Sequence, residues 1–190
     1  KYNKKKFIKK KKIISYEIIK KIKKKEEYVL FVSLGYSNMN KNRETIYKRA
    51  INDGFKLTNI IHPKAVIPKK TKVGKNCFIM NDVHIHPCVK IGNNNFIWSG
   101  AILCHHVKVG NNCWFTSGSS VAGITKVGNN CFFGVNASIT NNLKIGNEVF
   151  IGARTLVSKS LKNKSVTISE GEKQLDLKSD QFLNLINNQF

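Results

Sequence analysis

Five histidines are the residues of this 190-residue chain best suited to move a proton near neutral pH: His62, His84, His86, His105 and His106. A His can serve as general base with no metal and no covalent intermediate when the bond to be broken is already activated. The spacing argues against zinc. Successive gaps are 22, 2, 19 and 1 residues, and in Cys104-His105-His106 neighbouring side chains on an extended strand point to alternate faces. No metal site is expected. The five cysteines, Cys77, Cys88, Cys104, Cys113 and Cys131, are odd in number and contain no Cys-x-x-Cys pair. That argues against a disulfide scaffold and for a reducing, cytoplasmic compartment.

The elements that must hold these residues are read from a repeat. Val73-Gly74 recurs as Ile91-Gly92, Val109-Gly110, Val127-Gly128 and Ile145-Gly146, always 18 residues apart. Stepping by six from Ile61 meets a large apolar residue at all seventeen positions through Val157. Two residues before each lies a second register, mostly small or β-branched, from Ala65 to Thr155. An α-helix needs a period near 3.6. A period of six fits a short strand and a tight turn, and three such strands close a triangular coil of 18 residues. Coils of this kind stack about 4.8 Å apart. The chain is therefore expected to be mainly β, a parallel β-helix. The Gly ladder just named and the ladder Asn76, Asn94, Asn112 and Asn130 are expected to occupy positive-φ turns. Cys77, Cys113 and Cys131 fall on one wall as stacked core residues.

Residues 28–34 (YVLFVSL) read as a buried parallel strand. Asn40 is then expected to cap a helix through Asp53, and Gly54 to close it. An extended return over Phe55–Ile61 completes most of a strand–helix–strand unit. The loop Gly35-Tyr36-Ser37-Asn38-Met39-Asn40 lies where such units hold phosphate. Beyond the prism, Lys159–Lys178 is expected to be irregular, and Ser179 to cap a last helix with Phe182, Leu185, Ile186 and Phe190 on one face. The expected units are 1–60, 61–157 and 158–190.

The formal charge is +22, from 30 lysines, three arginines and 11 acidic residues. Nucleic-acid readers favour Arg for bidentate contacts, so no nucleic-acid partner is expected, whereas small anionic substrates suit the charge. No apolar run approaches the roughly 20 residues of a membrane span, so no membrane insertion is expected. The Lys-rich start shows no signal-peptide pattern.

In these repeats the chain resembles the left-handed β-helix acyltransferases. With the stretch SLGYSNMNKNRETIYKRAINDGFKLTNIIHPKAVI it is similar to nucleotide-sugar N-acetyltransferases and to sialic-acid O-acetyltransferase-type enzymes. The resemblance implies a left-handed coil preceded by a small, partial Rossmann-like lobe. It implies direct acetyl transfer from acetyl-CoA to the amino group of a nucleotide-linked amino sugar, and a homotrimer. Acetylation of a sugar hydroxyl or a non-catalytic solenoid remain as alternatives. A γ-type carbonic anhydrase would need a histidine spacing that this chain lacks. By resemblance His105, five residues before Gly110, is the base, with His106 where relatives carry an acid. Gly123, Gly134, Asn136, Arg154 and Lys159 would hold the coenzyme. Gly35, Tyr36, Asn38, Asn40, Arg43 and His86 would meet the nucleotide sugar.

Overall fold

The computed structural model describes residues 7–8, 11–12, 14–22 and 24–170. The last helix expected from Ser179 onward lies outside them. From Ile60 the chain winds into a triangular prism with three parallel walls. Each strand is two residues long, and each pairs with the strand 18 residues on: Phe96 with Trp114, Ile102 with Ser120, Lys108 with Lys126. From Val73 to Val157 the second residue of each strand turns inward, whereas Ile61 at the open end of the prism is exposed. Ile79, Ile97, Leu103, Phe115, Val121, Phe133 and Ile151 are fully buried, and each contributes about 1.5–3 kcal/mol of burial. The first residue turns outward and distinguishes the walls. An aromatic wall carries Phe78, Phe96, Trp114, Phe132 and Phe150. A lysine wall carries Lys72, Lys90, Lys108, Lys126 and Lys144. A serine wall carries His84, Ile102, Ser120, Ser138 and Leu156.

Corners hold the winding. Every sixth residue from Asn76 to Arg154 has a positive φ. The Asn ladder belongs to this set, as expected. The Gly ladder does not; it is required for another reason. A Cβ on Gly110 would stand 2.6 Å from the carbonyl oxygen of Gly128 in the next coil, so only Gly permits the coil spacing. The winding also continues beyond Val157. Leu161 bridges Ile145, and Val166–Thr167 pairs with Phe150–Ile151. The segment expected to be irregular thus starts with another coil. That coil is two residues short, so the period of six passes over it.

The lobe before the prism is smaller than a Rossmann-like sheet. Val29–Leu30 and Lys56–Leu57 form one parallel pair, joined by a helix over Lys41–Asn52. The apolar run 28–34 is not a buried strand. Tyr28 and Val29 are exposed because among the described residues no further strand pairs with that edge, Val32 is buried, and Phe31 packs on the aromatic wall. Asn40 precedes the helix in a left-handed conformation and makes no side-chain cap. Its amide is used elsewhere. Among the described residues no helix is long and apolar enough to cross a membrane.

Candidate active site

The corner between the serine and lysine walls presents His105. Inward Leu103 ends one strand, His105 and His106 stand exposed, and Lys108 starts the next strand. His106 takes a φ of 61°. Its N–H donates to the Pro87 carbonyl at 3.1 Å, and the Ile124 N–H donates to the His105 carbonyl at 2.9 Å. The coils on both sides therefore fix the turn. Nδ1 of His105 lies 3.2 Å from Nδ1 of His106, with the rings at 82°. If His105 donates from Nδ1, its Nε2 keeps a lone pair for a proton. The imidazole lies over Gly123 of the next coil. A Cβ there would stand 2.6 Å from His105 Nε2. His105, His106 and Gly123 are thus brought together. His86 is exposed on this corner one coil earlier, and Lys159 is exposed on it at the far end.

Gly134, Asn136 and Arg154 are elsewhere. They occupy the corner between the aromatic and serine walls. A step of 18 residues keeps a corner, whereas the 11 from Gly123 to Gly134 do not. The serine wall separates the two groups, with Ser120 Oγ 3.3 Å from Ser138 Oγ. Gly134 also has a packing requirement, since a Cβ would stand 2.7 Å from the Cα of Ala153.

Apart from His86, the residues expected at the nucleotide sugar are laid on the aromatic wall. Asn38, Met39 and Asn40 have φ values of 52°, 47° and 63°, a left-handed turn. Tyr36 packs its ring 4.7 Å from that of Phe132 and 5.4 Å from that of Trp114. Gly35 and Asn38 are exposed. Asn40 is buried, and its Nδ2 donates to the Cys131 carbonyl at 3.3 Å. Arg43 is fully buried, and among the described residues no carboxylate pairs with it. Nη1 donates to the carbonyls of Leu34 and Gly35, and Nη2 to those of Asn94, Asn112 and Cys113, at 3.1–3.4 Å. The guanidinium also stacks 4.4 Å from the Phe96 ring centre. Burial pulls its pKa down to about 10, which leaves it charged at neutral pH. Asn40 and Arg43 therefore fasten the loop to the prism rather than face solvent.

Sequence reasoning missed how the Asn ladder is used. Asn76 Nδ2 donates to Asn94 Oδ1, Asn94 to Asn112, and Asn112 to Asn130. Asn130 Nδ2 ends the chain of amides on Glu44 Oε2 at 2.8 Å. At the other end Asn76 exchanges hydrogen bonds with the main chain of Val32. The ladder itself was readable; its partners in the lobe lie 44 and 86 residues away and carry no periodic signal.

Comparison with known proteins places this architecture. Residues 70–105 match the bacterial transferase hexapeptide (six repeats) family, and residues 124–140 match the hexapeptide repeat of succinyl-transferase. No curated protein matches the chain. Among solved structures it is similar to PerB from Caulobacter crescentus, in complex with CoA and GDP-perosamine. The identity is 30% and the TM-score 0.71, over 74% of this chain and 67% of that one. A variant of the GDP-perosamine N-acetyl transferase from the same organism matches at 26% identity and a TM-score of 0.56, over 76% and 70%. The acetyltransferase domain of PglB from Neisseria gonorrhoeae, with acetyl coenzyme A, shares the fold at 19% identity and a TM-score of 0.78, over 89% and 81%. The chain belongs to the left-handed β-helix, hexapeptide-repeat acyltransferases. It is an acyltransferase. Among the described residues no group of three or more His, Cys, Asp or Glu is placed to hold a metal ion.

Proposed function

We propose that the chain transfers acetyl from acetyl-CoA to the amino group of a nucleotide-linked amino sugar, with His105 as general base. The observation that carries this reading is the imidazole of His105 against Gly123, with its Nδ1 taken up by His106. The solved relatives with CoA and GDP-perosamine support the substrate class.

On this reading acetyl-CoA is a co-substrate. The acceptor nitrogen attacks the thioester carbonyl carbon, a C–N bond forms and the C–S bond breaks. His105 Nε2 takes the proton that the nitrogen sheds, and the coenzyme leaves as the thiol after that proton is passed on. Gly123, free of a side chain, leaves its backbone open to the thioester. Lys159, on the same corner, supplies positive charge for the coenzyme phosphates. The loop over Gly35–Asn40 rests on the aromatic wall, the face opposite the His105 corner. One chain cannot bring the two together, so the reading includes a homotrimer with active sites between copies.

The test is release of free thiol from acetyl-CoA against a panel of UDP-, dTDP- and GDP-linked amino sugars, with the matching hydroxy sugars as controls. Thiol release with an amino sugar alone is expected. Acetylation of a hydroxy sugar instead would replace the acceptor, and no turnover with any of them would end the reading.

A further inference from the structure

The left-handed turns are not equally suited to their residues. At the lysine-to-aromatic corner they hold Asn76, Asn94, Asn112, Asn130 and Glu148. At the aromatic-to-serine corner they hold Asp82, Gly100, Gly118, Asn136 and Arg154. At the His105 corner they hold Cys88, His106, Ile124 and Asn142. Ile124, at φ 66°, is the one β-branched residue of the series. A β-branched side chain in this region is a true outlier, and such strain concentrates where a site needs it. Burial does not offset it, because Ile124 is 50% exposed.

Its position is specific. Ile124 follows Gly123 directly, and its N–H holds the His105 carbonyl at 2.9 Å. In the stack of turns it stands one coil beyond His106, whose ring meets that of His105. It brings an exposed aliphatic side chain to a corner whose neighbouring coils present mostly polar side chains, His86, His105, His106, Asn141, Asn142 and Lys159 among them. We propose that Ile124 determines the acyl specificity of the enzyme: its side chain walls the space beside His105 and Gly123 and limits the transferred group to a short chain. This rests on the acetyltransferase reading above. The acyl methyl is the apolar part of the reacting pair. An amino sugar carries hydroxyls around its ring, and covering those with an aliphatic group that cannot hydrogen-bond is unfavourable. The strained turn is what brings that side chain out beside Gly123.

Two variants test it. Ile124→Asn keeps a side chain of comparable reach in a residue that accepts the left-handed region. Ile124→Gly removes the wall. Melting temperature is measured for Ile124→Asn, and initial rates with acetyl-, propionyl- and butyryl-CoA are measured for both and for the wild type, using the amino sugar found in the panel. Ile124→Asn is expected to melt about 2–4 °C higher while kcat/KM for acetyl-CoA falls about ten-fold. Ile124→Gly is expected to narrow the preference for acetyl over butyryl by about ten-fold. An Ile124→Asn protein that melts no higher, or an acyl preference unchanged in both variants, overturns the proposal. Those results leave the functional reading standing if the wild type is active, whereas a wild type that turns over no acetyl-CoA brings both down.

Discussion

Two corners of the same prism use the same left-handed turn for opposite ends. Under the lobe, the turns hold asparagines whose amides form a buried, head-to-tail chain from Val32 to Glu44. The four asparagines there suit their backbone, and their side chains bind one another and the lobe. Across the prism, the turns hold Cys88, His106 and Ile124, all exposed, and among the described residues the imidazole of His105 has no side-chain partner but His106. The first corner gains stability from hydrogen bonds that water cannot reach. The second forgoes it and leaves side chains available for a ligand. A repeat that fixes the backbone lets each corner be assigned separately, since a side chain at a turn has little effect on the inward registers.

A pair of glycines separates the two uses most sharply. Gly110→Ala puts a methyl against the main chain of the next coil, at 2.6 Å from the Gly128 oxygen. The coils must part, which costs about 3 kcal/mol or more. A melting temperature lower by about 10 °C is expected. Gly123→Ala meets only the end of the His105 side chain, which can swing into solvent. Near-wild-type melting with a large loss of turnover is expected. Equal melting of the two variants would remove the distinction between the corners.

The histidines give the next largest effect. His105→Asn keeps hydrogen-bonding capacity but cannot take a proton at neutral pH. A kcat lower by about 10²–10⁴-fold is expected, with acetyl-CoA affinity nearly unchanged. His106→Asn should cost less, because Asn suits the left-handed turn and can still accept from His105 Nδ1. Steady-state kinetics over pH for both variants decides the matter. A dead His106→Asn beside an active His105→Asn would transfer the base role to His106.

The prism was legible because its signal repeats. Ile97 and Leu103 follow from Ile61 by counting sixes, and both are fully buried. The exposed corner position of His105 was legible as well, two residues past inward Leu103. What escaped were contacts with no period. Arg43 reads from sequence as a helix cation near a phosphate loop. Its burial against Phe96 and the Asn112 carbonyl depends on packing between segments about 50–70 residues apart. Gly134 and Gly123 stand at different corners of one chain, because the 11 residues between them are not a multiple of the 18 that make a coil. The strain at Ile124 could have been found by stepping six from His106, but only with the knowledge that this step keeps the turn conformation.

The smallest expected effect concerns how the lobe is held. Glu44 accepts from Asn130 Nδ2 at 2.8 Å and pairs with Lys48 at 2.6 Å. Burial alone would raise its carboxyl, but the hydrogen bonds from Lys48 and Asn130, with the charges of Lys48 and Lys41, outweigh it and hold the group below its ordinary value. A depressed folded value means that stabilisation is fully present above the unfolded pKa of about 4.3 and is lost as pH falls through the lower folded one. Glu44→Gln keeps an acceptor for Asn130 but removes the charge. At pH 7 the variant should be less stable by about 1 kcal/mol or less, and the gap should close towards pH 3, where the wild-type carboxylate takes up its proton. Urea unfolding from pH 3 to pH 7, followed by the fluorescence of the aromatic wall beneath the lobe, reads this directly. A gap that widens on acidification would mean that Glu44 is held protonated by burial, and that the amide chain ends on a donor instead of a carboxylate.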